Sequence, residues 1–180
     1  MNRNVLIVGA SVRAAAQSAA RAGLTPVCAD LFADDDLRAV AQVVRVENYP
    51  AGLPAAVRGV PPCPWMYTGA LENSPGVIAA LSADRPLWGN GPEAVARVRD
   101  PRAVAAWLRS EQLPCPDVRP ETDPPPPDGT WLLKPRKSAG GHGIHLWNAD
   151  AARARTLREP HYFQQHIIGT PYSALFVGAP

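Results

Sequence analysis

The segment Lys134-Pro135-Arg136-Lys137-Ser138-Ala139-Gly140-Gly141-His142-Gly143-Ile144 holds chemistry-bearing residues at a telling spacing. A lysine at the end of an apolar run, a glycine-rich loop and a second apolar run make a workable clamp for a triphosphate. Lysine supplies a compact charge for phosphate oxygens, and glycines let backbone N–H groups approach them closely. This is not a Walker A loop, which needs its lysine and a hydroxyl residue after the last glycine, with a helix beyond. The alternative is an exposed hairpin loop whose basic residues are incidental.

A second candidate is Phe163-Gln164-Gln165-His166-Ile167-Ile168-Gly169, followed by Tyr172-Ser173-Ala174. An extended segment of this kind can offer backbone C=O and N–H groups to an adenine edge, with an apolar neighbour stacking on the ring. Taken alone it is a strand and a turn. A third candidate is Gly9-Ala10-Ser11-Val12-Arg13-Ala14, with Asp30 ending the next apolar run. A dinucleotide fingerprint requires glycine where Ser11 stands, so that pyrophosphate can approach the backbone. A strand-to-helix turn without cofactor is therefore the better reading. Glu72-Asn73, after Tyr67-Thr68-Gly69, is either a helix cap or a polar cluster facing an acceptor substrate. His142, His145, His161 and His166 bring no cysteine or carboxylate pair with them. A tetrahedral site needs three or four convergent ligands, so no metal site is expected there.

These residues need elements to hold them. Val5–Val8 is a short unbroken apolar run closed by Gly9, the pattern of a strand buried on both faces of a parallel sheet. Ser11 is the expected N-cap of a helix through Arg21, with Gly23 just past its end. Pro26–Asp30 and Val43–Val46 follow as strands, with a helix of about Leu37–Ala41 capped by Asp36 between them. Leu53–Val57 is expected to be helical, Trp65–Thr68 a strand and Pro75–Ser82 a helix. This strand–helix alternation predicts a parallel α/β layer over residues 1–90. Two short helices are expected within 92–112, the second opening at Asp100-Pro101. Residues 91–128 then read as a helical lead-in and proline-rich connector, with Leu113–Pro116 extended and Pro124–Pro127 a stiff loop. In residues 129–180, Trp131–Lys134 and Ile144–Trp147 form a hairpin around the glycines, followed by a short helix of about Ala151–Leu157. Tyr162–Ile167 and Tyr172–Val177 are expected as further strands.

Composition narrows the function classes. Of 180 residues, 46% are hydrophobic and 19% charged, so a packed core is affordable and disorder is not indicated. Ten of the 21 prolines lie in Pro61–Pro64 and Pro114–Pro127, which read as connectors between packed units. A net charge of +2 with scattered arginines offers no basic stripe for nucleic acid. Cys28, Cys63 and Cys115 form no close pair, which points to a reducing compartment and buried thiols. No stretch approaches the roughly 18 apolar residues of a membrane span, so the cytoplasm is the expected location.

Taken in order, Lys134-Pro135, Gly140-Gly141-x-Gly143-Ile144 and Gln164-Gln165-His166-Ile167-x-Gly169-x-x-Tyr172-Ser173 resemble the ATP-binding subdomain of the ATP-grasp superfamily. Arg99-Asp100-Pro101…Leu108…Leu113-Pro114-Cys115-Pro116 is similar to that family's helical lead-in. It departs at a phosphate-contacting lysine, which is lost here or replaced by Arg102. His166 departs from the family's aromatic. The resemblance implies a Rossmann-like parallel α/β layer (the pre-ATP-grasp domain), then a partial α+β ATP-grasp subdomain with antiparallel hairpins. It further implies that Lys134 holds phosphates and that Gly140, Gly141 and Gly143 form the flap over them. The main chain at Gln164 and Gln165 would read adenine, with Ile167 packing on it. The implied activity is ligation: ATP activates a carboxylate as an acyl phosphate, and an amine or similar nucleophile displaces it. Partners are then a small-molecule carboxylate and nucleophile, without nucleic acid or membrane, and a homo-oligomer is compatible with this. Magnesium is implied for a full-length enzyme, from a C-terminal segment that the 180 residues do not contain, so a truncated family member is expected. The alternatives are a non-catalytic nucleotide-binding module and a dinucleotide-binding protein of Rossmann type.

Overall fold

The computed structural model describes residues 3–153 and 160–176, which fall into two units, each built on its own four-stranded sheet. The first unit runs to Val104 and also takes in Lys137–His142; the second comprises Ala105–Arg136 and the chain from Gly143 onward.

In the first unit all strands are parallel: β1 (Asn4–Gly9), β2 (Thr25–Asp30), β3 (Gln42–Arg45) and β4 (Trp65–Tyr67), in the order β3-β2-β1-β4. The unbroken apolar run of β1 is explained by its position. Alternate residues enter opposite faces of the sheet, and both faces are covered. Leu6 and Val8 pack with Leu53, Trp65, Leu71 and Ile78 on one face, while Val5 and Ile7 pack with Val12, Ala16, Cys28 and Leu37 on the other. The alanine-rich α1 (Arg13–Arg21) buries Ala16 and Ala19, small residues that let the helix lie close to the sheet. It ends at Gly23, whose φ of +77° suits the left-handed residue after a helix.

The remaining helices of this unit are α2 (Asp35–Arg38), α3 (Leu53–Ala56), α4 (Pro75–Ser82) and α5 (Pro92–Val98), while α6 (Pro101–Ser110) is divided between the two units after Val104. Proline opens α4, α5 and α6, where its missing N–H costs nothing. Asp100 accepts the Arg102 N–H at 2.9 Å and so closes the start of α6.

The second unit is antiparallel: β5 (Val118–Pro120), β6 (Asp128–Pro135), β7 (His145–Asn148) and β8 (His161–Gln165), ordered β5-β8-β6-β7, with a short α7 (Ala149–Arg153) after β7. One face of this sheet is the core. Leu133, Trp147 and Phe163 are buried together, the last two edge to face at 4.9 Å between ring centres. Trp147 Nε1 donates to the Pro125 carbonyl at 2.9 Å, which fixes the proline-rich connector.

Several sequence expectations need adjusting. Ser11 does not cap α1. The helix begins at Arg13 behind Val12, whose amide donates to Asp30 Oδ2 instead, at 2.7 Å. The helix expected at Leu37–Ala41 is the single turn of α2, earlier by two residues, and α7 also begins two residues before the expected Ala151. Residues 154–157 of that expected helix, and Val177 of the last expected strand, lie outside the described residues. Tyr172–Phe176 is not a strand: it has the apolar composition but no neighbour to pair with among the described residues. Conversely, β5 stands where only an extended connector was expected. It is a sheet-edge strand, and an edge position is where its Pro120 is tolerated.

Candidate functional site

On the second sheet, strand register decides which side chains share a face. Lys134 pairs directly with Tyr162 and Leu132 with Gln164, so Lys134, Leu132, Tyr162 and Gln164 all project from the face opposite the Leu133–Phe163 core. Lys134 Nζ donates to Gln164 Oε1 at 3.0 Å and stands 5.7 Å from the centre of the Tyr162 ring. Among the described residues its partners are thus an amide oxygen and a ring, both uncharged, and none of the ion pairs involves it. The chain has 18 basic residues, yet only two are lysines, Lys134 and Lys137, and both lie in this hairpin.

The two glutamines part company. Gln165 is one residue further along β8 and belongs to the opposite face, where its Oε1 accepts the Asp117 N–H at 3.2 Å. Its own N–H donates to the Asp117 carbonyl at 2.8 Å, and the His166 N–H donates to the Thr130 carbonyl at 2.9 Å. These two donors are occupied by the sheet, which leaves carbonyls and residues past the strand end to meet a base edge. Ile167 lies just past that end and is 59% exposed, available to cover an apolar ring.

Gly143 closes the loop in the second unit with φ +74°, and an added Cβ there would stand 3.2 Å from Pro135 Cγ. The loop tip, Lys137–His142, belongs to the first unit. Gly140 and Gly141 also have positive φ, +61° and +77°, with open space around both. There the Ser138 carbonyl accepts from Arg99 Nη2 at 3.1 Å and from Asn73 Nδ2 at 3.4 Å, and Arg99 also bonds Asn73 Oδ1. Arg102 is exposed on the first turn of α6.

At the carboxyl ends of β1 and β4 the order of strands reverses, the position where open α/β sheets form a crevice. Gly9 is required there by close approach: a Cβ would lie 2.0 Å from Thr68 Oγ1. Glu72 sits in a 3-10 turn (Leu71–Asn73) just beyond β4. Burial, and then the Glu72 charge, push the Tyr67 phenol above its ordinary range; burial first, then the Glu72 and Asp30 charges, raise Tyr49. Neither Glu72 nor Asn73 caps α4, whose N-cap residue is Ser74. Asp30, at the end of β2, is 1% exposed. Its carboxylate accepts the backbone N–H groups of Val12, Phe32 and Ala33 at 2.7–2.8 Å, so it is committed to the turns around it. Spacing along the chain could not have revealed the Asp30–Val12 or Lys134–Gln164 bonds, which join residues far apart in sequence.

Comparison with known proteins gives a match over part of the chain and a fold. Residues 98–180 match the ATP-grasp domain. No curated protein matches the chain in sequence. The fold is similar to N5-carboxyaminoimidazole ribonucleotide synthetase from Thermus thermophilus, with a TM-score of 0.64 and 17% identity over 91% of this chain and 47% of that one. It is similar to carboxyaminoimidazole ribonucleotide synthase from Aspergillus clavatus complexed with ATP, with a TM-score of 0.67 and 14% identity over 93% of this chain and 48% of the other. The Staphylococcus aureus N5-carboxyaminoimidazole synthetase complexed with ADP gives a TM-score of 0.69 and 18% identity over 91% and 47%. The chain therefore spans about half the length of the solved structures it matches.

Proposed function

We propose, from the ATP-grasp domain carried on residues 98–180, that this chain holds the nucleotide of an ATP-dependent carboxylate–amine ligase. The observation that carries the reading is Lys134: an ammonium held at a strand end by uncharged partners, followed by a glycine loop. In this reading Lys134 neutralises phosphate charge, the loop from Ser138 to Gly143 covers the phosphates, and Ile167 packs on the base. Arg102 is a further phosphate contact in the proposal. The acceptor is assigned to the β1–β4 crevice, where the Glu72 charge acts on Tyr49 and Tyr67. The protein's contribution is positioning and charge neutralisation, with the bond changes made between ATP, carboxylate and amine. Magnesium, which the family implies, would supply positive charge to the phosphates when bound. No group of three or more His, Cys, Asp and Glu side chains gathers to hold a metal among the described residues.

A second reading is a nucleotide-holding module that does not itself ligate. A dinucleotide-binding reading is disfavoured by Asp30, whose carboxylate is already taken by three backbone amides. Among the described residues no helix is long and apolar enough to cross a membrane. Incubating the protein with ATP, magnesium and mixed small carboxylates and amines, and following phosphate release, separates the first two readings. Release that needs both a carboxylate and an amine supports ligation. ADP and ATP binding without any such release supports the module, and no nucleotide binding overturns both.

A further inference from the structure

We propose that Gln164 and Tyr162 are positioning residues for Lys134, holding its ammonium in place while leaving its charge uncompensated for a phosphoanion. The inference rests on the nucleotide reading above and adds to it the device that readies the lysine.

The geometry is local to one sheet face. Tyr162 lies directly across from Lys134 on β8, and Gln164 is its diagonal neighbour, so two side chains of a single strand reach the same Nζ. A lysine on a flexible stem loses rotamer freedom when it grips a ligand, and a side chain tethered beforehand loses less. The choice of tether matters as much. A carboxylate at 164 would hold Lys134 equally well but would form an ion pair with it, which an incoming phosphate would have to displace. An amide oxygen orients without neutralising. The ammonium has three donors, and the bond to Gln164 uses one. The opposite face shows the contrast: Arg119 stacks over Trp131 at 5.2 Å and pairs with Asp123 at 3.7 Å, a cation spent on structure.

Because the chain has only two lysines, 13C-lysine labelling gives two side-chain signals to follow by NMR. Inorganic triphosphate is the probe, since it lacks a base and so ignores any role of Gln164 toward adenine, and titration reaches millimolar affinities. In the unaltered protein the Lys134 signal is expected to shift saturably. Gln164→Glu, nearly isosteric, should weaken triphosphate binding by about tenfold, and Gln164→Met, which removes the tether without adding charge, by about threefold. Melting temperatures should stay close to the parent's. Gln164→Glu binding triphosphate as well as the parent, or Gln164→Met weakening it as much as Gln164→Glu, overturns the inference while leaving the nucleotide reading in place. Lys134→Ala binding as well as the parent, or no saturable shift at all, overturns both together.

Discussion

Lys134 and Gln164 are thirty residues apart in sequence and 3.0 Å apart across neighbouring strands, joined by a hydrogen bond from ammonium to amide. The bond exists because β8 enters the sheet beside β6 in a register that places Leu132 opposite Gln164. One residue of slip would send Gln164 to the core side and bring Phe163 out. The candidate site and the core of the second unit are thus fixed by the same pairing.

Removing the charge tests the site directly. Lys134→Ala should cost a charge-assisted contact of roughly 1.5–3 kcal/mol with ATP, or about a 10- to 150-fold loss of affinity. Calorimetry or NMR titration with ATP measures it, with thermal melting as the control for folding. Loss of melting temperature with affinity unchanged would mean that the lysine serves the sheet alone.

Gly141→Val should act through the backbone. The position has φ +77° and open space around it, so valine meets no neighbour but is forced out of its allowed region, at about 1–2 kcal/mol. The strain falls on an exposed loop, so melting should change little while hydrogen exchange over residues 137–143 speeds up and ATP affinity falls. Unchanged exchange in the variant would contradict this.

Asp30→Ala should be among the more damaging single changes in the first unit. It strips the partner from three backbone N–H groups, two of those bonds buried, at about 1–3 kcal/mol for each buried donor left unpaired. Urea denaturation should show about 3 kcal/mol or more of lost stability. A loss under about 1 kcal/mol would mean that water replaces the carboxylate readily.

Cys28 should be the most inert of the three thiols. Burial first, and the Asp30 charge second, push its pKa from 9.0 to about 12, so at neutral pH it stays a protonated, sheltered thiol. Iodoacetamide followed by mass spectrometry should label the half-buried Cys115 first and Cys28 only on unfolding. The same shift sets a sign for stability. The unfolded thiol loses its proton near pH 9 while the folded one keeps it. This contribution is therefore whole below pH 9 and lost as pH rises toward about 12.

Much of the scaffold was readable because its cause is local. The run Val5–Val8 is apolar throughout since both faces of β1 are covered, and the prolines at 75, 92 and 101 mark helix starts for a backbone reason. What escaped depends on partners distant in sequence. Ser11 looks like a helix cap until Asp30, eighteen residues on from Val12, takes the adjacent amide. Val118–Pro120 looks like connector because an edge strand needs no pattern of its own when β8 supplies the pairing. Tyr172–Phe176 reads as a strand from composition, and composition does not provide a neighbour. For the site, the lysine and glycines were legible as types at a spacing. Which glutamine faces Lys134 was not, since that follows from register.

The strand order β5-β8-β6-β7 has a consequence for the timing of synthesis. Among the described strands the last made, β8, is an interior one: until residues 161–165 leave the ribosome, β5 lacks its β8 partner and β6 has one side open. The first sheet has all four of its strands by β4, with one parallel bridge from Trp65 to Leu87, and can assemble far earlier, domain by domain as chains commonly do. A nascent chain paused before His161 would carry a finished first sheet and, in its second unit, an exposed strand edge, the state in which neighbouring polysome chains most readily pair with one another.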